Sequence, residues 1–368
     1  MKKNIALGMS GGVDSSLCAH LLVEQGYAVT GVFLECWRAP GCRTDQDRKD
    51  ALAVALGLGI PFQVLDFKDA YKERVVEYFF REYEAGRTPN PDILCNSEIK
   101  FGLFFDWAMQ QRFDAIATGH YAKKITLDTA SEQLAVPTDA HKDQTYFLHQ
   151  ISQKQLQHTL FPLANMTKEQ VRKEAKKKNI PVADKKDSVG ICFIGDINVH
   201  TFLKERLGEN PGEVVDVNGV VIGSHKGLWF YTIGQRSGFH INQTTLVHQS
   251  SGEVLTKHNI PPFYVIAKKP DTNQLVVGFG ADTLRSTFVV HNIHWIHSPV
   301  KDQATLYVRI RHTGKLLTCS VTFQEDNGVK VALASGVQGV AEGQYAVLYQ
   351  KQASDMLCLG GGAMSMIE

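Results

Sequence analysis

The chain's 368 residues are enough for two or three domains, each burying a core of its own. Hydrophobic residues at 43%, charged residues at 21% and no run of about 18 apolar residues predict a globular protein with no membrane partner, and Met1-Lys2-Lys3 is too short for a secretory signal. A formal net charge of +1 excludes capture of a polyanion by the global field, so nucleic acid must be held by local patches.

Asn4 to Leu7 is a short apolar run that predicts a buried strand, and Leu17, His20, Leu21 and Leu22 recur at helical spacing after it. Between them lies Gly8-Met9-Ser10-Gly11-Gly12-Val13-Asp14-Ser15-Ser16. Glycines let the backbone turn tightly and approach a ligand. Successive N–H groups at a helix N-terminus form an anion nest, so the loop reads as a phosphate site. It is not the GxxxxGK[ST] loop, since no lysine lies in it. The bland alternative is a glycine-rich turn whose Asp14 and Ser15 merely cap the helix. The order strand, loop, helix favours phosphate.

Val29 to Leu34 predicts a second strand, Asp47 to Leu56 a helix and Phe62 to Leu65 a third strand. Tyr71 to Tyr83 and Phe101 to Gln111 read as helices, and Asp114 to Thr118 as a strand ending at Gly119-His120. Strands separated by helices predict an α/β, doubly wound parallel sheet with its ligand at the strand C-terminal ends, where Gly8 and Gly119 sit. Lys168 to Lys186 reads as a basic helix, weighed evenly between a solvated face and a phosphate-backbone contact. After about residue 205 the texture turns β-rich, with a hairpin over Val214 to Val221, a polar loop over about 239–260 and alternating strands from about 276 that predict a small β-barrel.

Seven cysteines, odd in number and far apart, form neither a disulfide scaffold nor a structural zinc pattern, so the expected compartment is the reducing cytoplasm. Two of them sit in segments suited to chemistry. Cys95 follows the proline-stiffened loop Arg87-Thr88-Pro89-Asn90-Pro91-Asp92, just before a helix expected from near Ser97, whose N-terminus would favour the thiolate; Asp92 is near enough to move a proton. Cys192 lies between Gly190 and Gly195, with Lys185 and Lys186 as the expected source of positive charge. Either thiol alone reads more readily as an inert buried residue. In a domain with an adenylating loop, a thiol pair can displace AMP with sulfur and then close as a disulfide.

The glycine loop resembles that of the ATP pyrophosphatases, which cradles pyrophosphate as ATP adenylates a substrate oxygen, with Asp14 helping to hold Mg²⁺. Over nearly its whole length the chain resembles the bacterial tRNA-specific 2-thiouridylase family. The resemblance is carried by the loop, Gly86 to Asn96, Ala117-Thr118-Gly119-His120-Tyr121, Lys142-Asp143-Gln144-Thr145-Tyr146-Phe147-Leu148, Gly190-Ile191-Cys192-Phe193-Ile194-Gly195, Gly234-Gln235-Arg236 and Cys358-Leu359-Gly360-Gly361-Gly362.

It implies an ATP pyrophosphatase catalytic domain over 1–204, a β-rich central domain over 205–275 and a tRNA-contacting β-barrel over 276–368. It implies that O2 of the wobble uridine in tRNAs for lysine, glutamate and glutamine is adenylated. Cys192 would become a persulfide charged by a sulfur-relay protein or a cysteine desulfurase, and Cys95 would form a transient disulfide with it. Gly8 to Ser15, Leu34 and Gly119 would bind ATP, and Asn90, Pro91 and Asp92 the target base. His120, Lys142, Asp143, Gln144, Arg311, His312 and Gln344 would touch tRNA. The protein would work as a cytoplasmic monomer with no resident metal site. The stretch 239–261 is longer and more polar than the family pattern, and Cys36 and Cys42 are two ligands at most, not a complete metal site. Two rivals remain: an ATP pyrophosphatase making a C–N bond, which needs no thiol pair, and a non-catalytic tRNA-binding protein, which releases no pyrophosphate.

Overall fold

The computed structural model describes residues 2–38, 42–126, 131–187, 192, 198–242, 245–247, 254–256, 261–300, 305–324 and 327–366. Strand β1, Asn4–Gly8, is apolar on both faces, with Ile5, Ala6 and Leu7 fully buried, as a central parallel strand must be. It pairs in parallel with β2, Ala28–Glu35, on one side and with Ala115–Ala117 on the other. β3, Phe62–Asp66, and Thr159–Leu160 complete a five-stranded parallel sheet at its two edges. Chain order reverses at β1, so its C-terminal end and that of Ala115–Ala117 open side by side, where a doubly wound sheet holds its ligand.

Helix α1, Val13–Glu24, covers one face together with helix Lys168–Lys177, sharing a core of Leu17, Cys18, Leu22, Val171 and Ala175. Continuous helical turns over 68–84 and 91–110 cover the other face through Tyr71, Phe79, Phe80, Ile99 and Phe104. Each carries a π-wound segment, Lys72–Val76 and Cys95–Phe104. The second helix begins at Pro91, not near Ser97: proline is preset for the first helical position, where its missing N–H costs nothing.

The central sheet is mixed: Gly212–Val215 and Gln274–Gly278 run parallel, and Val221–His225, His240–Ile241 and Tyr264–Lys269 pair antiparallel around them. The expected hairpin forms, with Gly219 at φ +81° and the Asp216 carboxylate accepting from the Asn218 and Val220 N–H groups. Within the stretch expected to be a loop, Thr245–Val247 pairs with Val254–Thr256. The rest of 243–260 lies outside the described residues. The helix Val199–Leu207 spans the boundary drawn at 204, and the strand Gln274–Gly278 spans the one drawn at 275, so we place those boundaries at the ends of these elements.

Six antiparallel strands close the C-terminal barrel, from Arg285–Trp295 round to Asp355–Ser365, which pair with each other. Two strands of the N-terminal domain, Lys123–Thr126 and Glu132–Ala135, extend this sheet at Leu357 and Cys358, tying the barrel to that domain. Among the described residues, no helix is long and apolar enough to cross a membrane.

Candidate functional site

The glycine loop leaves β1 at Gly8 with the Met9 N–H donating to the Val32 carbonyl at 2.8 Å. Gly11 stands at φ +72°, and a Cβ there would lie 2.1 Å from the Asp47 carbonyl oxygen. Gly12 precedes α1 without any side-chain cap, so the first helical N–H groups face the loop. Ser15 turns its hydroxyl back onto the Ser10 N–H at 3.1 Å. Asp14 caps nothing: its carboxylate accepts from Tyr121 Oη at 3.0 Å and pairs with Lys168 Nζ at 2.7 Å. Val13 is buried at the start of α1 and Leu34 near the end of β2, and a Cβ on Gly119 would come within 2.9 Å of the Ser15 nitrogen. The loop residues expected to bind ATP and Gly119 therefore meet at the C-terminal ends of β1 and Ala115–Ala117. Gly11→Ala should cost about 1–3 kcal/mol in backbone strain alone. Thermal unfolding and ATP-dependent AMP formation would both register it, and a variant matching the parent in both would refute the close packing on Asp47.

Lys185 is not at the thiols. Its ammonium bonds the Gly11 carbonyl at 2.8 Å and pairs with Asp47 at 2.7 Å and with Asp50, locking the loop to helix α2, Thr44–Leu58. Several cations of the basic helix are likewise ion-paired. Lys168 and Arg172 pair with Asp187, Lys176 with Asp184 and Lys178 with Glu24. Lys142 joins the same Asp187 at 2.9 Å. Burial opposes charge on Asp187, but the ammoniums of Lys168 and Lys142 outweigh it and pull the carboxyl down to about 2. Lys168, Arg172 and Lys142 thus converge on Asp187, while Lys173, Lys176 and Lys177 lie on the exposed face of the helix.

The second half of the site is built on the helix beginning at Pro91. Thr88 donates its N–H to the Glu342 carbonyl, and Gln344 donates to the Thr88 carbonyl at 2.8 Å, so the barrel props the Asn90-Pro91 turn. Asp92 accepts the Cys192 N–H at 2.9 Å, and Tyr71 donates to the Cys192 carbonyl at 2.6 Å. These two bonds set Cys192 against Cys95. Both thiols are free, Cys95 buried and Cys192 half-buried. Residues 188–191 and 193–197, including the flanking glycines, lie outside the described residues.

Cys95 sits in the second turn of its helix, not at the N-terminus, and burial pushes its thiol up. The hydrogen bond from Cys95 pulls the Cys192 thiol down against burial, and Lys100 adds to that pull. Burial raises the Asp92 carboxyl, partly offset by the Cys192 N–H. Lys100 supplies the charge assigned in sequence to Lys185 and Lys186, and nothing in its spacing from Cys95 announced it. Cys36, at the end of β2, is buried in the same cluster as Cys95; Cys42 is half-buried, before α2.

The residues expected at tRNA divide. Arg311 is exposed, and half-buried His312 packs on Phe147 with ring centroids 4.2 Å apart. His120 is buried, its Nε2 3.3 Å from Lys100 Nζ and its Nδ1 2.9 Å from Thr118 Oγ1. Gln144 fixes Tyr121 from both sides, accepting its N–H through Oε1 and donating to its carbonyl. Asp143 is not on the surface: it is 2% exposed and pairs with Arg309 of the barrel at 2.6 Å.

Residues 3–196 match the tRNA methyl transferase HUP domain family, 200–279 the tRNA methyl transferase PRC-barrel domain and 285–364 the aminomethyltransferase beta-barrel domain. The chain is 41% identical over 371 residues to the tRNA-specific 2-thiouridylase MnmA of Nitrosomonas europaea, covering 99% of this chain and 98% of the relative. It is 42% identical to the MnmA of Janthinobacterium sp., with the same two coverages, and 40% identical to that of Francisella tularensis subsp. novicida, over 98% and 99%.

Proposed function

Since this chain belongs to the tRNA-specific 2-thiouridylase MnmA family and is thereby an ATP-dependent sulfurtransferase acting on tRNA, we propose that its acceptor is the wobble uridine of lysine, glutamate and glutamine tRNAs, activated at O2. The observation that carries this reading is the segment Thr118 to Tyr121. Gly119 packs on the phosphate loop, His120 reaches Lys100 beside the thiols, and Tyr121 bonds Asp14, so one turn joins adenylation to sulfur transfer.

The uracil O2 attacks the α-phosphorus of ATP and pyrophosphate leaves toward the N–H groups of Gly11 to Ser15. Asp92, its carboxyl raised by burial, takes the N3 proton and later returns it. The outer sulfur of a Cys192 persulfide forms a bond to C2, and the C2–O bond breaks with AMP taking the electron pair. Asp92, having returned its proton to N3, takes the proton of the Cys95 thiol as Cys95 Sγ attacks Cys192 Sγ; the S–S bond breaks onto the sulfur bonded to C2, and 2-thiouridine leaves behind a Cys95–Cys192 disulfide. A thiol reductant reopens it. Mg²⁺ uses one or two carboxylates together with substrate phosphates, and Asp14 beside the loop has that chemistry. There the ion would neutralise phosphate charge. The sulfur comes from a relay protein or a cysteine desulfurase, and the enzyme works as a cytoplasmic monomer.

Unmodified tRNA incubated with ATP and a sulfur source should gain one 2-thiouridine at the wobble position per AMP released, read by nucleoside mass spectrometry. Absence of tRNA-dependent pyrophosphate would favour a binding protein. A nitrogen-bearing product that survives alanine at both Cys95 and Cys192 would favour C–N bond formation. Asp14→Asn should lower tRNA-dependent AMP formation at least about tenfold, because the charged partner of Lys168 beside the loop is lost, and with it the carboxylate that would hold Mg²⁺; near-parental turnover would remove Asp14 from the phosphate site.

A further inference from the structure

Sulfur transfer requires negative charge on a half-buried sulfur, and burial opposes it. Among the described residues, the cation in contact with Cys192 is Lys100, whose side chain is hydrogen-bonded to the thiol. In an α-helix Lys100 would point about 140° away from Cys95, five residues earlier. Here Cys95–Phe104 is π-wound, and i→i+5 bonding brings residue 100 back to within roughly 50° of residue 95. The winding thus turns the ammonium onto the face that carries the thiol pair.

The ammonium is also oriented. A lysine can only donate, so His120 Nε2, 3.3 Å away, is the acceptor, which assigns the ring proton to Nδ1 facing Thr118 Oγ1 at 2.9 Å. Burial and the neighbouring Lys100 charge keep His120 neutral, as this role requires. Burial disfavours the charged lysine, but Cys192, Cys95 and Asp92 outweigh it and hold the ammonium protonated. The charged and titratable groups facing the pair are Asp92 and Cys95 from the same helix, Tyr71 from the helix over 68–84, Cys36 from β2 and His120.

We propose that Lys100 is a further catalytic residue of sulfur transfer, its ammonium standing against Cys192 Sγ while that sulfur accepts, holds and hands on the sulfane atom. The proposal rests on the reading of Cys192 as sulfur acceptor. In the accepting step the Cys192 thiolate attacks the outer sulfur of the donor persulfide, a new S–S bond forms, and the donor thiolate leaves with the electrons of the old one. Lys100 gives up no proton; it compensates charge before and after.

The test uses the full chain with Lys100→Met, Lys100→Gln and Lys100→Arg. Iodoacetamide labelling of Cys192 is followed against pH and resolved by peptide mass spectrometry, and tRNA thiolation is followed across the same range. Losing the cation should raise the labelling midpoint by about 1–3 pH units in the Met and Gln variants. Thiolation at neutral pH should fall at least about tenfold and recover as the pH rises, and Arg should restore much of both. Gln keeps a polar contact to His120, so it reads the charge even where Met perturbs folding. An unchanged midpoint with parental thiolation in the Gln variant would overturn the role of Lys100. Sulfane sulfur on a cysteine other than Cys192 in the parent would instead overturn the acceptor reading, an outcome the labelling midpoint does not depend on.

Discussion

Cys192→Ser should leave no persulfide on the protein and lower tRNA thiolation at least about 10³-fold, whereas Cys95→Ser should still accept sulfur at Cys192 yet fail to release 2-thiouridine over repeated turnovers. The asymmetry follows from where the two sulfurs stand. Cys95 is fully buried, so a donor protein cannot reach it, whereas Cys192 is half-buried and held by its backbone between Asp92 and Tyr71. The chemistry points the same way. Cys95 hydrogen-bonds Cys192 and Lys100 supports it, which favours the thiolate on Cys192 and keeps the proton on Cys95. Nucleophilic attack on a donor persulfide needs the thiolate, and the buried thiol is placed to break the S–S bond once Cys192 carries the sulfane atom. Alkylation trapping with peptide mass spectrometry reads the persulfide, and nucleoside mass spectrometry reads the product. Sulfur found on Cys95 in the Cys192→Ser chain, with thiolation intact, would reverse the two roles.

The geometry of the glycine loop was legible because it depends on residue types: Gly11 and Gly119 stand where a Cβ would strike backbone, and the order of strand, loop and helix is local. Chemistry alone paired the two thiols across nearly a hundred residues. Electrostatics was far less legible. Lys185 and Lys186 precede Cys192 closely in sequence, but Lys185 turns back to Asp47 and Asp50, while the cation that matters lies one π-turn past Cys95. No α-helical periodicity places residues 95 and 100 on one face. The start of that helix was misread because Pro89 and Pro91 together look like an extended loop, although Pro91 also fits a first helical position. Basic residues from Lys168 to Lys178 read as available because their partners, Glu24, Asp184 and Asp187, come from other elements. The attachment of Glu132–Ala135 to the barrel is a pairing across more than 200 positions, for which a four-residue strand gives no sign.

Arg309→Met should destabilise the protein by about 3–5 kcal/mol, the cost of leaving a buried carboxylate without its cation. Arg309 is 8% exposed and Asp143 2%, their charged atoms 2.6 Å apart, with the other Asp143 oxygen taking the N–H and hydroxyl of Thr145. The pair joins the barrel to the segment that carries Gln144, and Gln144 fixes Tyr121, which bonds Asp14 at the phosphate loop. A loosened interface should therefore also weaken ATP-dependent AMP formation. In the double variant Arg309→Met with Asp143→Leu no charge is left unpaired, so most of the lost stability should return, and the cycle isolates the pair. An arginine lying on the tRNA backbone would behave in the opposite way. Its removal would spare the unfolding transition and reduce the salt dependence of tRNA binding by about one counterion. Chemical unfolding of the single and double variants, with tRNA affinity measured at several salt concentrations, separates the two. A single variant within 1 kcal/mol of the parent, with a flattened salt slope, would move Arg309 from the domain interface to the tRNA surface.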